Sequence, residues 1–128
     1  MRRCYTETMK KVLIAEDDVF IRDIAEKKLT DAGHEVHLVD DGNRVIEMLE
    51  QVHPDILLLD LMLPHRHGFE VLEEIRKSER FATLPVVIFS NETGMVVEEK
   101  AKDLQATYFF KAMTGTGELV EVVERILA

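Results

Sequence analysis

A single cysteine, Cys4, stands in a chain of 128 residues, so no internal disulfide can form and the fold must rest on its core. That usage suits a reducing compartment, and a cytoplasmic location is the expectation. Long hydrophobic runs are absent too. The longest, Ile56 to Leu63, is interrupted by Asp60 and falls far short of the roughly 20 apolar residues that a membrane-spanning helix needs. The basic start, Met1-Arg2-Arg3-Cys4-Tyr5-Thr6-Glu7, has no apolar segment behind it and does not read as a secretory signal. Positive charge is in deficit: 16 Lys plus Arg face 25 Asp plus Glu, for a net charge of -9. Non-specific nucleic-acid affinity comes from counterions released by a basic surface, so direct nucleic-acid binding is not expected. No repeat, low-complexity tract or linker divides the chain. A hydrophobic content of 46% with 32% charged residues instead marks an ordinary globular domain.

Short apolar runs alternate with amphipathic segments five times. Val12-Leu13-Ile14-Ala15 reads as a strand buried on both faces. Ile21, Ile24, Ala25, Leu29 and Ala32 then recur at helical spacing, with Gly33 where a helix C-cap belongs. Glu35 to Val39 alternates polar and apolar residues, as an edge strand does. A second helix is predicted from about Asn43 to Gln51, carrying Val45 and Leu49 toward Val52. Ile56-Leu57-Leu58-Leu59 reads as a central parallel strand. Val71, Leu72 and Ile75 mark a third helix, and Val86-Val87-Ile88-Phe89, after Pro85, a fourth strand. Val97, Ala101 and Leu104 sit on a fourth helix. Tyr108-Phe109-Phe110 forms the fifth strand, and Leu119, Val122, Val123, Ile126 and Leu127 the last helix. Such alternation implies a parallel sheet covered on both faces. The expectation is one (βα)5 domain over residues 10–128, preceded by a loose extension over residues 1–9.

Ligands of open α/β sheets bind outside the carboxyl ends of the strands. There the chain places Glu16-Asp17-Asp18 after the first strand, Asp60 after the third, Ser90 after the fourth and Lys111 after the fifth. A strand order of 2-1-3-4-5 makes the first and third strands neighbours and brings Glu16, Asp17 and Asp60 together. Three carboxylates in one cleft repel each other. A hard divalent cation relieves that repulsion, and oxygen-only ligands favour Mg2+. Adding Mg2+ and the Lys111 ammonium brings the local charge to zero, so a phosphoryl group can approach. A carboxylate can attack phosphorus to give an acyl phosphate, with the metal, the lysine and the Ser90 hydroxyl stabilising the equatorial oxygens.

From about Lys11 to Ala128 the chain resembles a receiver domain of two-component response regulators, chemotaxis-regulator-like and single-domain. The residues that carry the resemblance are the Glu16-Asp17-Asp18 cluster, Ile56-Leu57-Leu58-Leu59-Asp60-Leu61-Met62-Leu63-Pro64, Gly68, Ser90 and Lys111. The resemblance implies a doubly wound, flavodoxin-like α/β sandwich. It implies Asp60 as phosphoacceptor, and Glu16, Asp17, Asp60 and the backbone carbonyl of Met62 as Mg2+ ligands. Ser90 becomes the switch hydroxyl, Lys111 the phosphate-binding amine and Tyr108 the switch aromatic. The implied partners are a sensor histidine kinase or histidine phosphotransfer protein and a downstream protein that reads helix four, strand five and helix five. The domain is then a switch that assists its own phosphorylation and dephosphorylation, without a turnover substrate.

The chain also departs from the family pattern. Ala112 follows Lys111 where proline is usual, and a trans peptide is expected there because a cis bond before alanine costs about 2.5–4 kcal/mol. Asn91 stands where a small residue is usual. Gln105-Ala106 replaces a Gly-Ala pair, so the fourth helix must close without glycine. His65-Arg66-His67 fills a loop that is often acidic just before Gly68. Simpler roles stand beside the functional ones: Asp17 or Asp18 as a helix N-cap, Tyr108 as edge packing, Val19 and Phe20 as core rather than partner contacts. His53, His65 and His67 read as solvated loop residues, since no cysteine or third spaced ligand joins them, and Glu98 to Asp103 as a solvated helix face. Two further functions stay open. One is a receiver-like interaction module that no longer switches. The other is a small Mg2+-dependent aspartyl phosphatase, against which stands Met62 at the position where such enzymes carry a second acid.

Overall fold

The structure is a computed structural model and describes residues 9–92 and 94–128. The expected extension, with Cys4, lies outside them apart from the exposed Met9. Five strands alternate with five α-helices: β1 (Lys11–Ala15), α1 (Val19–Asp31), β2 (Glu35–Val39), α2 (Val45–Val52), β3 (Ile56–Asp60), α3 (Gly68–Lys77), β4 (Val86–Ser90), α4 (Met95–Asp103), β5 (Thr107–Phe110) and α5 (Glu118–Leu127). All pairings are parallel, in the order β2-β1-β3-β4-β5. This is the expected flavodoxin-like fold. The second helix starts later than its apolar pattern suggests. Asp41 accepts the Asn43 N–H at 2.8 Å and tightens Gly42–Arg44 into a 3-10 turn ahead of α2.

Side chains alternate across a strand, so the two sheet faces build two cores. Leu13, Ala15, Leu57, Leu59, Val86 and Ile88 face one way and meet Val45 and Leu49 of α2, Val71, Leu72 and Ile75 of α3, and Ala101 of α4. Val12, Ile14, Ile56, Leu58, Val87 and Phe89 face the other way and meet Ala25 and Leu29 of α1 and Leu119 and Val123 of α5. The central strands β3 and β4 are buried at every residue, whereas β2 is half-exposed along most of its length. Apolar runs without alternation therefore went to the middle of the sheet, and the alternating run went to its edge.

Local chemistry fixes the helix ends. Asp18 caps α1 by accepting the N–H groups of Phe20 at 3.0 Å and Ile21 at 3.2 Å. His67 caps α3 through a capping box with Glu70: the ring takes the Phe69 N–H, and Glu70 takes the His67 N–H. α4 closes on Gln105 in the left-handed region, φ 58°, with its N–H on Lys102 O and the Ala106 N–H on Ala101 O. The Arg76 guanidinium, reaching over from α3, donates to the carbonyls of Leu104 at 2.8 Å and Gln105 at 3.2 Å and covers that helix end. Among the described residues no helix is long and apolar enough to cross a membrane.

Candidate functional site

Register builds the site. Ala15 pairs with Leu59, so Glu16 and Asp60, one residue further on, come side by side at the carboxyl edge of the sheet. Asp60 pairs with Phe89 and Ser90 with Phe110, which places Ser90 and Lys111 on the same edge. Lys111 closes the group: its Nζ lies 2.8 Å from Glu16 Oε1 and 3.2 Å from Asp60 Oδ2. The other oxygens are held by backbone, Glu16 Oε2 accepting the Asp18 N–H at 2.9 Å and Asp60 Oδ1 the Met62 N–H at 3.2 Å. Glu16, Asp60 and Ser90 are buried, while Asp17 is exposed at the mouth. Ser90 Oγ accepts the Glu92 N–H at 2.9 Å, which leaves its own proton free to point elsewhere.

Burial and crowding set the electrostatics. Removal from water raises the Glu16 carboxyl from 4.5 to about 7; the Lys111 and Asp18 hydrogen bonds oppose that rise, and the Asp60 charge adds to it. Burial works against the Lys111 ammonium, yet the Glu16 hydrogen bond and the charges of Asp60 and Glu16 outweigh it and raise its pKa above the usual lysine value. One ammonium against three carboxylates leaves the cluster short of positive charge.

Glu16, Asp17 and Asp60 each offer a carboxylate oxygen, all within 4.8 Å of one another. Glu16 Oε1 is buried with the Lys111 ammonium 2.8 Å away. An all-oxygen, anionic donor set with more carboxylates than cations fits a hard divalent cation. Among the described residues this is the one group of acids, histidines or cysteines close enough to hold a metal. The histidines are spent singly: His67 caps α3, His65 Nδ1 lies 2.7 Å from Asp41 Oδ2, and His53 lies against Arg80.

Gly42 lets the flanking loops close. A Cβ on Gly42 would stand 2.7 Å from Arg66 O, and the Gly42 N–H donates to Pro64 O at 3.0 Å. The β2–α2 and β3–α3 loops are thereby clasped beside the site, with the His65–Asp41 contact across them. The Asn43 N–H bond, with His65 beside it, holds the Asp41 carboxyl below the usual aspartate range against the small cost of its desolvation. On the far side the Tyr108 hydroxyl donates to the carbonyls of Ser90, at 3.3 Å, and Glu92. It ties β5 to the loop that carries Ser90. Burial, then the charges of Glu98 and Glu92, push the Tyr108 phenol up.

The structure thus brings Glu16, Asp17, Asp60 and Lys111 into one cluster with Ser90 on the same edge, and turns Asp18 away as a helix cap. Val19, Phe20 and Met62 are exposed. One residue of the site escaped the sequence reading: Thr114, buried, whose hydroxyl donates to Lys111 O at 2.5 Å. A threonine three residues past the lysine, able to bond back along a tight turn, was the available signal.

A family model described as "Response regulator receiver domain" matches residues 12–124. The chain belongs to this family. Among solved structures, it is similar to a candidate response regulator from Chloroflexus aurantiacus, at 26% identity over 92% of this chain and 97% of that one, TM-score 0.85. It is similar also to the chemotaxis response regulator CheY4 of Vibrio cholerae, at 27% identity over 93% and 99%, TM-score 0.79. A third is the phosphorylated cyanobacterial phytochrome response regulator RcpA, at 28% identity over 92% and 91%, TM-score 0.76. Receiver domains are the switch domains of two-component response regulators, and as a family they interact with histidine kinases and downstream effectors.

Proposed function

We propose that this receiver domain is a phosphoacceptor switch that takes a phosphoryl group from a phosphohistidine onto Asp60 and then controls a protein partner. The observation that carries this reading is the Lys111 ammonium between the buried carboxylates of Glu16 and Asp60, 2.8 and 3.2 Å away. A structural ion pair needs one acid; this lysine faces two, with Asp17 beside them.

In the reaction a carboxylate oxygen of Asp60 forms a bond to phosphorus as the P–N bond of the donor breaks. The electron pair of that bond returns to the imidazole nitrogen, which leaves as neutral imidazole after taking one proton from solvent, and an acyl phosphate stands on Asp60. Lys111 donates to a phosphoryl oxygen and the Ser90 hydroxyl, whose proton is uncommitted, to another. Glu16, Asp17, Asp60 and the Met62 carbonyl would hold Mg2+, which would supply the positive charge that lets an anionic phosphoryl group enter. Attack by water on phosphorus reverses the modification, releasing inorganic phosphate and restoring the carboxylate.

The exposed apolar side chains of Val19, Phe20 and Met62 flank the acids and form the rim on which a histidine kinase or phosphotransfer protein docks. On the output side, an open groove of ≈ 510 Å³ is lined by Met95, Glu98, Glu99, Lys102, Ala106 and Tyr108. Tyr108 spans both regions, since its hydroxyl holds the Ser90–Glu92 loop. Movement of Ser90 toward a phosphoryl group therefore reaches the α4–β5–α5 surface, where the downstream partner reads it.

The test is intact-protein mass after incubation with acetyl phosphate, with and without Mg2+, beside an Asp60→Asn variant. A single Mg2+-dependent phosphoryl adduct, absent from the variant, is expected. An adduct of equal yield on the variant overturns the reading.

A further inference from the structure

Lys111 is joined to Ala112 by a trans peptide, with no proline ring to fix the backbone beyond it. Its ammonium nevertheless reaches both buried carboxylates. The root of the side chain is held on two sides. Ahead of it, Phe110 pairs with Ser90 in the β4–β5 ladder. Behind it, the Lys111 carbonyl accepts two hydrogen bonds from one residue, the Thr114 N–H at 3.1 Å and the Thr114 hydroxyl at 2.5 Å. Both carbonyl lone pairs are thus used, and Lys111–Met113 is closed into a 3-10 turn. Thr114 is 1% exposed, so its hydroxyl is shielded from water and held toward that carbonyl.

We infer that Thr114 is a positioning residue for phosphoryl transfer: its buried hydroxyl locks the Lys111 carbonyl and so aims the Lys111 ammonium between Glu16 and Asp60. The inference rests on the phosphoacceptor reading above and adds to it a residue that touches neither phosphate nor metal. The lever is long. A tilt of about 10° at the backbone swings the end of a lysine side chain by about 1 Å, and a misplacement of that order costs up to ~100-fold in rate. A bare Lys-Ala step permits such a tilt, and the second hydrogen bond removes it.

Thr114→Val keeps the shape of the side chain and removes the hydroxyl, and Thr114→Ser keeps the hydroxyl; both are made in the full chain, with Thr114→Ala replacing the valine variant should that not fold. Three quantities are compared: the rate at saturating acetyl phosphate, the Mg2+ affinity, and the 15N signal of the Lys111 ammonium, visible when ion pairing slows its exchange. For Thr114→Val we expect a rate at least about tenfold lower, loss of the ammonium signal, and an unchanged Mg2+ affinity. Thr114→Ser restores the rate and the signal. Wild-type rate and signal in Thr114→Val, or equal losses in the valine and serine variants, overturn the inference. Should the wild-type chain accept no phosphoryl group, the phosphoacceptor reading fails, while the ammonium signal of the variants still decides whether Thr114 aims Lys111.

Discussion

Gly68 lies against the backbone of Asp60: a methyl group added to the glycine would stand 2.5 Å from the Asp60 carbonyl oxygen and 2.7 Å from the Leu61 Cα. The Gly68 N–H meanwhile donates to Leu61 O at 2.7 Å. The first turn of α3 therefore presses directly on the segment that carries the Asp60 carboxylate, and a side chain there has only backbone to displace.

Gly68→Ala is accordingly expected to destabilise the domain by about 1–3 kcal/mol and to lower the phosphorylation rate. The sign is diagnostic. In an unencumbered helix the same change stabilises by about 1 kcal/mol. A denaturant midpoint at or above that of the wild type would contradict the close approach.

Cation binding at the proposed site is expected to depend on pH through Glu16. Its pKa is raised from 4.5 to about 7 by burial, so in that window the folded, metal-free chain keeps a proton that the unfolded chain releases. The stabilisation from this group is complete below about 4.5 and is lost as pH rises through about 7. A divalent cation must displace that proton, so the apparent Mg2+ affinity is expected to fall below pH 7, approaching tenfold per pH unit. Calorimetry in buffers of different ionisation enthalpy reads the released proton directly. Equal affinities at pH 6 and pH 8, with no proton release, would contradict the assignment.

Gln105 adopts φ 58° to end α4, a conformation that costs a residue with a Cβ roughly 1–2 kcal/mol. Gln105→Gly is expected to stabilise the domain by about 1 kcal/mol, net of the backbone entropy that glycine loses. Thermal unfolding of the two proteins checks this; a lower midpoint for the glycine variant would show that the glutamine side chain contributes contacts of its own.

Much of this was legible in the sequence because burial and periodicity are written in residue type. Ile56-Leu57-Leu58-Leu59 belongs only where both faces are covered, and Glu35 to Val39 only where one edge is wet. The acids, the serine and the lysine were legible because each follows an apolar run, and a parallel sheet puts all such positions on one edge. What was hidden depends on contacts distant in sequence or on exact backbone angles. Arg76 looks like a solvated helix residue, yet it covers the end of α4. His67 looks like a loop histidine, yet it shares a capping box with Glu70. Thr114 carries no periodic signal, and its value appears only once the Lys111 carbonyl has been placed. Asp18 could not be told from Asp17 by type; geometry sends one to the helix and the other to the acid cluster.

The central claim is that Asp60 itself carries the phosphoryl group. Borohydride reduces an acyl phosphate of aspartate to homoserine, so the modified residue can be located by peptide mass after incubation with acetyl phosphate and Mg2+. The account predicts homoserine at position 60 and aspartate elsewhere, with none formed when Mg2+ is chelated. Homoserine at another aspartate, or a phosphorylated chain that yields none, would contradict it.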